Sequence, residues 1–200
     1  MGTIRIGPYN SMLIYWVPKI IKDFTTIHPY VTFSVVEYSY VDICKQLTNN
    51  YIDLAFMVND APEGFDFVPS MKDEIKVILP NNHPLCKMER VSVSAIEQYD
   101  FLMPALGFDD HVKIVLEDEP FDPKAKHLVG SDNALLSMVT EGLGITVLPS
   151  MLIESTCQNV ISKSFYHKKY RTMGIAIRSV KSTSPAVKEF LSIAHNVAKR

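Results

Sequence analysis

Four short stretches place hydroxyl, amide or small side chains where a strand pattern gives way to a helical one. They are Tyr9-Asn10-Ser11-Met12, Ser39-Tyr40, Met103-Pro104-Ala105-Leu106 and Ser131-Asp132-Asn133, with Thr146 on the strand pattern that follows the last of them. In an open α/β sheet such junctions lie beyond the carboxyl ends of the strands, where the first turns of helices present N–H groups with no partner inside the helix. That chemistry suits recognition of a carboxylate or another small anion. Ser11 and Ser131 also read as helix N-caps, a purely structural role worth about 1 kcal/mol each. An anion sensor would be expected to add arginine or lysine at these junctions, yet the charged residues there are Asp60, Asp109, Asp110 and Asp132. Either backbone amides and hydroxyls hold the ligand alone, or the ligand is neutral or carries an ammonium group. Acids in a first helical turn also complement the helix dipole with no ligand at all.

Other residue types invite chemistry and decline it. No Gly-x-Ser-x-Gly elbow, Cys-His signature or carboxylate pair at short spacing stands out as an anchor for nucleophilic or acid-base chemistry, so no catalytic residue is assigned. The acidic run Glu117-Asp118-Glu119 with Asp122 lacks the alternate spacing and glycine of a calcium loop, and reads as a solvated helix end. His28, His83, His111, His127, His167 and His195 never fall in metal-ligand spacing, so no metal and no cofactor are expected. His167-Lys168-Lys169 with Arg171 reads as an exposed basic turn. Cys44, Cys86 and Cys157 are odd in number and far apart, which argues against a disulfide framework and for a reducing cytoplasm. Cys44 reads as a buried small hydrophobe.

The elements that must position these groups alternate along the chain. Residues 3–7 read as a strand stopped by Gly7-Pro8; the apolar spacing from Met12 to Ile27 then predicts one helix, kinked between Tyr15 and Pro18 by the proline. Residues 30–38 read as a strand, 41–47 as a short helix and 53–58 as a strand buried on both faces. Two strands follow at 65–71 and 75–80, then a helix at 94–98, a strand at 101–104 and a helix at 109–118. A strand at 126–131 and a helix at 132–141 lead to Gly142, a left-handed helix terminator, and Gly144, which turns the chain into the strand ITVLP. Because these glycines follow a helix and precede a strand, the reverse of the dinucleotide-loop order, no nucleotide loop is read here. After an ambiguous segment come a strand at 171–180 and a final helix with Pro185 in its first turn.

Composition bounds the class. Two hundred residues, 47% hydrophobic and 21% charged, suffice for one domain or two small ones. A formal net charge of −2 gives no phosphate-binding footprint for the chain as a whole, which argues against direct contact with nucleic acid. No apolar run of about 18 residues and no basic-then-apolar leader is read, so a non-exported, non-membrane chain is expected.

Seven pieces in order resemble the effector-binding domain of LysR-type transcriptional regulators. They are IRIG with Ser11 opening the first helix, Pro18 within that helix, HPYVTFSVVE, IDLAF, EIKVILPNNHPL, GSDNALLSMVTEGLGITVLP and TSPAVKEFL. The resemblance implies an α/β fold like that of type 2 periplasmic binding proteins. Two Rossmann-like subdomains, 1–75 plus 175–200 and 76–174, would be joined by crossover segments near 72–78 and 170–177, with a ligand cleft between them. The effector contacts expected in that cleft are the junction residues Asn10, Ser11, Met12, Ser39, Tyr40, Met103, Pro104, Ala105, Ser131, Asp132 and Thr146, with Ser11 the one that the family pattern itself matches. A small-molecule effector, a cytoplasmic homodimer or tetramer, no membrane, and DNA contact only through a winged helix-turn-helix missing from this chain complete the expectation. Apolar strips on helices 11–27 and 109–118 would serve the dimer. A solute-binding protein of a transporter, or an enzyme on the same fold, are the rival readings.

Overall fold

Strand β3 (Leu54–Val58) is buried at every residue, which follows from its place between parallel β1 (Gly2–Pro8) and antiparallel β10 (Lys169–Ile177). The structure is a computed structural model. It describes residues 2–105, 110–116, 121–154 and 159–199, without the side chains at 10, 110, 111 and 116. The described chain divides into two compact units, 1–72 with 172–200 and 73–171.

In the first unit β2 (Val31–Val35) pairs parallel with β1 on the edge away from β3. Its helices are α1 (Asn10–Tyr15), α2 (Val17–Ile27), α3 (Tyr40–Thr48) and α8 (Pro185–Ala198). The expected single kinked helix is two helices. Pro18 has no N–H to donate, and the chain breaks at Trp16 (φ −102°, ψ −50°), which leaves the proline in the first turn of α2. Trp16 is 1% exposed and meets Phe56 edge-on at 5.0 Å. Phe24, Phe33 and Phe190 pack within 5.6–5.9 Å of one another, each such pair adding about 0.5–1.5 kcal/mol beyond area burial.

The two expected strands at 65–71 and 75–80 are one fifteen-residue strand, β4 (Asp66–Pro80). Lys72-Asp73-Glu74 interrupts the apolar pattern without interrupting the strand, because Asp73 faces inward and is bonded there. β4 and β10 carry the chain between the two units. In the second unit β4 pairs antiparallel with β8 (Thr146–Pro149) and β9 (Val160–Phe165), and β9 pairs parallel with β5 (Arg90–Val91). β6 (Asp100–Pro104) and β7 (Lys124–Val129) form a separate parallel pair. Helices α4 (Val93–Ile96), α5 (Asp110–Leu116), α6 (Asp132–Thr140) and α7 (Ser150–Glu154) complete the unit, so the ambiguous segment after β8 holds α7 and β9. Its core centres on Val77, Leu79, Val91, Phe101, Val147 and Phe165.

Helix α6 ends as the glycines predict. Gly142 has φ +75°, its N–H bonds to Val139, and Leu143 N–H reaches back to the Met138 carbonyl at 3.1 Å, the paired bonds of a left-handed helix cap. At Gly144 a Cβ would lie 2.6 Å from the Asp100 carbonyl oxygen, so this glycine is required by close backbone approach.

Candidate functional site

On the first unit the candidates gather where β1 and β2 end. Tyr9 is the N-cap of α1 and makes no side-chain cap, so Ser11 is not the N-cap read from the sequence but the second helical residue. Ser11 is 2% exposed, and Met12 is fully buried among the core residues. Asn10 opens α1; its side chain is outside the described atoms. With six residues, α1 offers first-turn N–H groups but only part of a helix dipole. Ser39 caps α3, its Oγ accepting the Asp42 N–H at 3.4 Å and donating to Asp42 Oδ2 at 2.7 Å. Tyr40 begins α3, its ring 6.4 Å from that of Tyr9. Tyr38 packs against the same apolar cluster as Tyr9 and Tyr40, beside Gly7, where a Cβ would stand 2.6 Å from Ile52 and 3.3 Å from the Tyr38 ring. The sequence reading missed this tyrosine cluster. Tyr9 lies before β2 and Tyr38 and Tyr40 after it, and parallel β1–β2 pairing brings them to one apolar cluster, so the available signal was a tyrosine beside each of two strand ends.

Burial raises the Cys44 thiol, against smaller lowering contributions from the Tyr40 hydroxyl and its own backbone. It remains a protonated, weakly reactive thiol. Asp60 folds onto itself, its carboxylate accepting the Ala61 N–H at 2.7 Å.

On the second unit Met103, Pro104 and Ala105 close β6 beside the end of β7, the Ala105 N–H bonding to the Val129 carbonyl at 2.8 Å. Ser131 caps α6, accepting the Ala134 N–H at 3.5 Å, and Asp132 follows in the first turn. Thr146 is fully buried, and its hydroxyl donates to the Leu102 carbonyl at 2.9 Å. Met103, Pro104, Ala105 and Ser131 share one end of the β6–β7 pair, while Thr146 is bonded to Leu102 in the middle of β6. Leu106, Asp109, Glu117, Asp118, Glu119 and Cys157 lie outside the described residues, as do the side chains of Asp110 and His111. Among the described residues no group of three or more His, Cys, Asp or Glu side chains could hold a metal ion.

The basic stretch is only half the exposed turn read from sequence: His167 and Lys168 are exposed between β9 and β10, whereas Lys169 and Arg171 are not. Lys169 and Arg171 are 4% and 6% exposed on β10, and the Arg171 guanidinium binds Asp73 Oδ2 through Nη2 at 2.7 Å and Nε at 3.0 Å. The other Asp73 oxygen accepts Ser150 Oγ at 2.8 Å and the Met151 N–H at 3.0 Å, which fixes the first turn of α7. Strand alternation turns both residues inward, and a buried charge persists only when paired.

The two α/β units, crossed twice by β4 and β10, define an α/β domain of the type 2 periplasmic-binding-protein kind. A family model described as the LysR substrate binding domain matches residues 1–199, and the chain belongs to that family. The transcriptional dual regulator GltC of Bacillus subtilis (strain 168) is 26% identical over 203 residues, 94% of this chain and 65% of GltC. The HTH-type transcriptional regulator YvbU of the same organism is 23% identical over 196 residues, covering 97% of this chain and 67% of YvbU. The chain thus spans about two thirds of the length of these relatives. Among solved structures, the effector-binding domain of QuiR in complex with shikimate is 27% identical, with a TM-score of 0.86 over 99% of this chain and 97% of that one. The regulatory domain of Synechocystis PCC6803 CcmR in complex with 2-PG shares the fold at 20% identity, with a TM-score of 0.90 over 100% of this chain and 99% of that one. Among the described residues no helix is long and apolar enough to cross a membrane.

Proposed function

We propose that this chain is the effector-sensing part of a LysR-type transcriptional regulator, acting in the cytoplasm by binding a small metabolite. The observation that carries the reading is the family match across residues 1–199. The likeness to QuiR's shikimate-bound domain supports it. The candidate contacts are Asn10, Ser11, Met12, Ser39 and Tyr40 on subdomain I (1–75 plus 175–200). On subdomain II (76–174) they are Met103, Pro104, Ala105, Ser131, Asp132 and Thr146. Met12 and Thr146 are fully buried and would serve by shaping the wall. Ser11, which the family pattern matches in the first turn of α1, is the leading candidate for a direct contact. The role is binding, with no catalytic step.

A ligand alters such a module only by binding one of its forms better than another, and a coupling of about 1–3 kcal/mol changes a linked affinity about 5–150-fold. The linked event is DNA binding by a winged helix-turn-helix in the whole protein, which works as a homodimer or tetramer. The test is the whole protein's affinity for its own promoter DNA, measured with and without a metabolite extract. A change of about fivefold or more is expected; an unchanged affinity at saturating ligand contradicts the reading.

A further inference from the structure

A cavity of about 650 Å³ opens at the foot of the first unit's sheet, at the start of β1 and the opposite strand end from Ser11. Its floor is apolar: Ile4, Leu47, Ile52 and Ile177 line it, each no more than 6% exposed. That volume and an apolar floor beneath a few polar groups are the ordinary form of a small-molecule site.

Two arginines, Arg5 and Arg178, stand among the polar groups around it. Arg5 is neutralised where it stands, binding Asp53 through Nη2 at 2.6 Å and Nε at 3.2 Å. Asp53, the one acid lining the cavity, is thereby spent on Arg5, and its Oδ2 also accepts the Arg5 N–H at 2.8 Å. Arg178 is different. Its bonds all come from Nη2 and go to neutral acceptors, Asn50 Oδ1 at 2.9 Å and the Thr48 carbonyl at 3.5 Å, while its guanidinium lies 5.1 Å from the Phe65 ring centroid. These contacts hold the side chain against the end of α3 and leave Nε and Nη1 as donors, with no carboxylate partner among the described residues. The hydroxyls of Ser179, Ser182 and Thr183 line the same space and make no hydrogen bond to a described residue; Ser184 is committed to capping α8 at the Val187 N–H.

We propose that this cavity binds a small molecule carrying a carboxylate or phosphate group on an apolar body. Arg178 holds the anion, Ser179, Ser182 and Thr183 donate to it, and the body rests on Ile4, Ile52 and Ile177. An anchored arginine whose positive charge meets only neutral acceptors favours an oxyanion, and charge-assisted bonds to it are about twice as strong as neutral ones. The site is separate from the effector contacts proposed above and stands or falls independently of them.

The test is a titration of the 200-residue chain with phenyl phosphate, inorganic phosphate and benzyl alcohol, followed by amide chemical shifts. With phenyl phosphate the amides of Ser179, Ser182 and Thr183 should shift and saturate. Arg178→Gln should weaken that binding about tenfold or more, and Arg178→Lys by less, each with an amide spectrum otherwise like the parent's. Benzyl alcohol, without the anion, and inorganic phosphate, without the body, should each bind about tenfold more weakly than phenyl phosphate. The proposal is overturned if those amides do not move, if Arg178→Gln binds phenyl phosphate as the parent does, or if either fragment matches it. Should Arg178→Gln fail to fold, Thr183→Val in an otherwise native spectrum reads the same loss; undiminished binding there overturns the proposal.

Discussion

Asp73 serves two masters through its two oxygens, Arg171 on one and the first turn of α7 on the other, at 3% side-chain exposure. Replacing it by Asn keeps the shape and removes the charge that balances a guanidinium only 7% exposed. Breaking a buried pair from one side costs about 3–5 kcal/mol, so urea unfolding of Asp73→Asn should show a midpoint lowered by that much stability. An unchanged midpoint would mean the pair is not buried in solution. A milder effect belongs to His83. Burial pushes its imidazole below the ordinary 6.5, while Nδ1 accepts the Leu85 N–H at 3.3 Å. The folded chain favours neutral histidine, so the unfolded chain takes up the proton first as pH falls. The stability this group contributes is complete above 6.5 and declines as pH drops from there toward its lowered folded value. The melting temperature of the parent should therefore fall more between about pH 7 and about pH 5 than that of His83→Asn, which retains an acceptor for Leu85; parallel pH curves would contradict this. Asp53 acts in the same direction at lower pH. Burial raises its carboxyl, the Arg5 hydrogen bonds outweigh that and leave it lowered, and its contribution fades as pH falls below 3.8.

Among the elements, the turn from α6 to β8 separates two uses of glycine. Gly142 holds φ +75° with open space around its Cα, whereas a Cβ at Gly144 would meet a backbone oxygen at 2.6 Å. Gly142→Ala should cost about 1 kcal/mol by strain alone. Gly144→Ala should cost more, since β6 or β8 must shift to admit the methyl group. Denaturation midpoints of the two variants, compared side by side, test the order, and a greater loss at Gly142 would reverse the argument. This turn was legible in the sequence because its signals are local: a cap at Ser131, an apolar helical face and a glycine one step past the end. Strand β4 was not legible as one piece. Asp73 looks like a break until Arg171, 98 residues later, is seen to bind it, and α7 draws the acceptor for its Met151 N–H from 78 residues earlier. The break at Trp16 was legible in position but not in degree; a proline signals a lost hydrogen bond, and only packing decides whether the helix bends or divides. At the site, Ser131 as a cap could be read from spacing, while Ser11 was read as a candidate from its strand-to-helix junction together with the family resemblance.

At the scale of the molecule, the central claim is that this chain recognises a small metabolite and leaves it unchanged. Ser11 is the side chain on which that claim turns most directly. As a buried hydroxyl its loss should lower stability by about 1 kcal/mol, yet its loss as a contact should lower ligand affinity by a larger factor. The decisive measurement is equilibrium dialysis of the chain against a metabolite extract of cells that make it, with mass spectrometry of both compartments, repeated with folded Ser11→Ala. The account predicts one or a few metabolites enriched with the parent chain, chemically intact, and about tenfold less enriched with Ser11→Ala. No enrichment, equal enrichment by the variant, or conversion of the retained metabolite would contradict it.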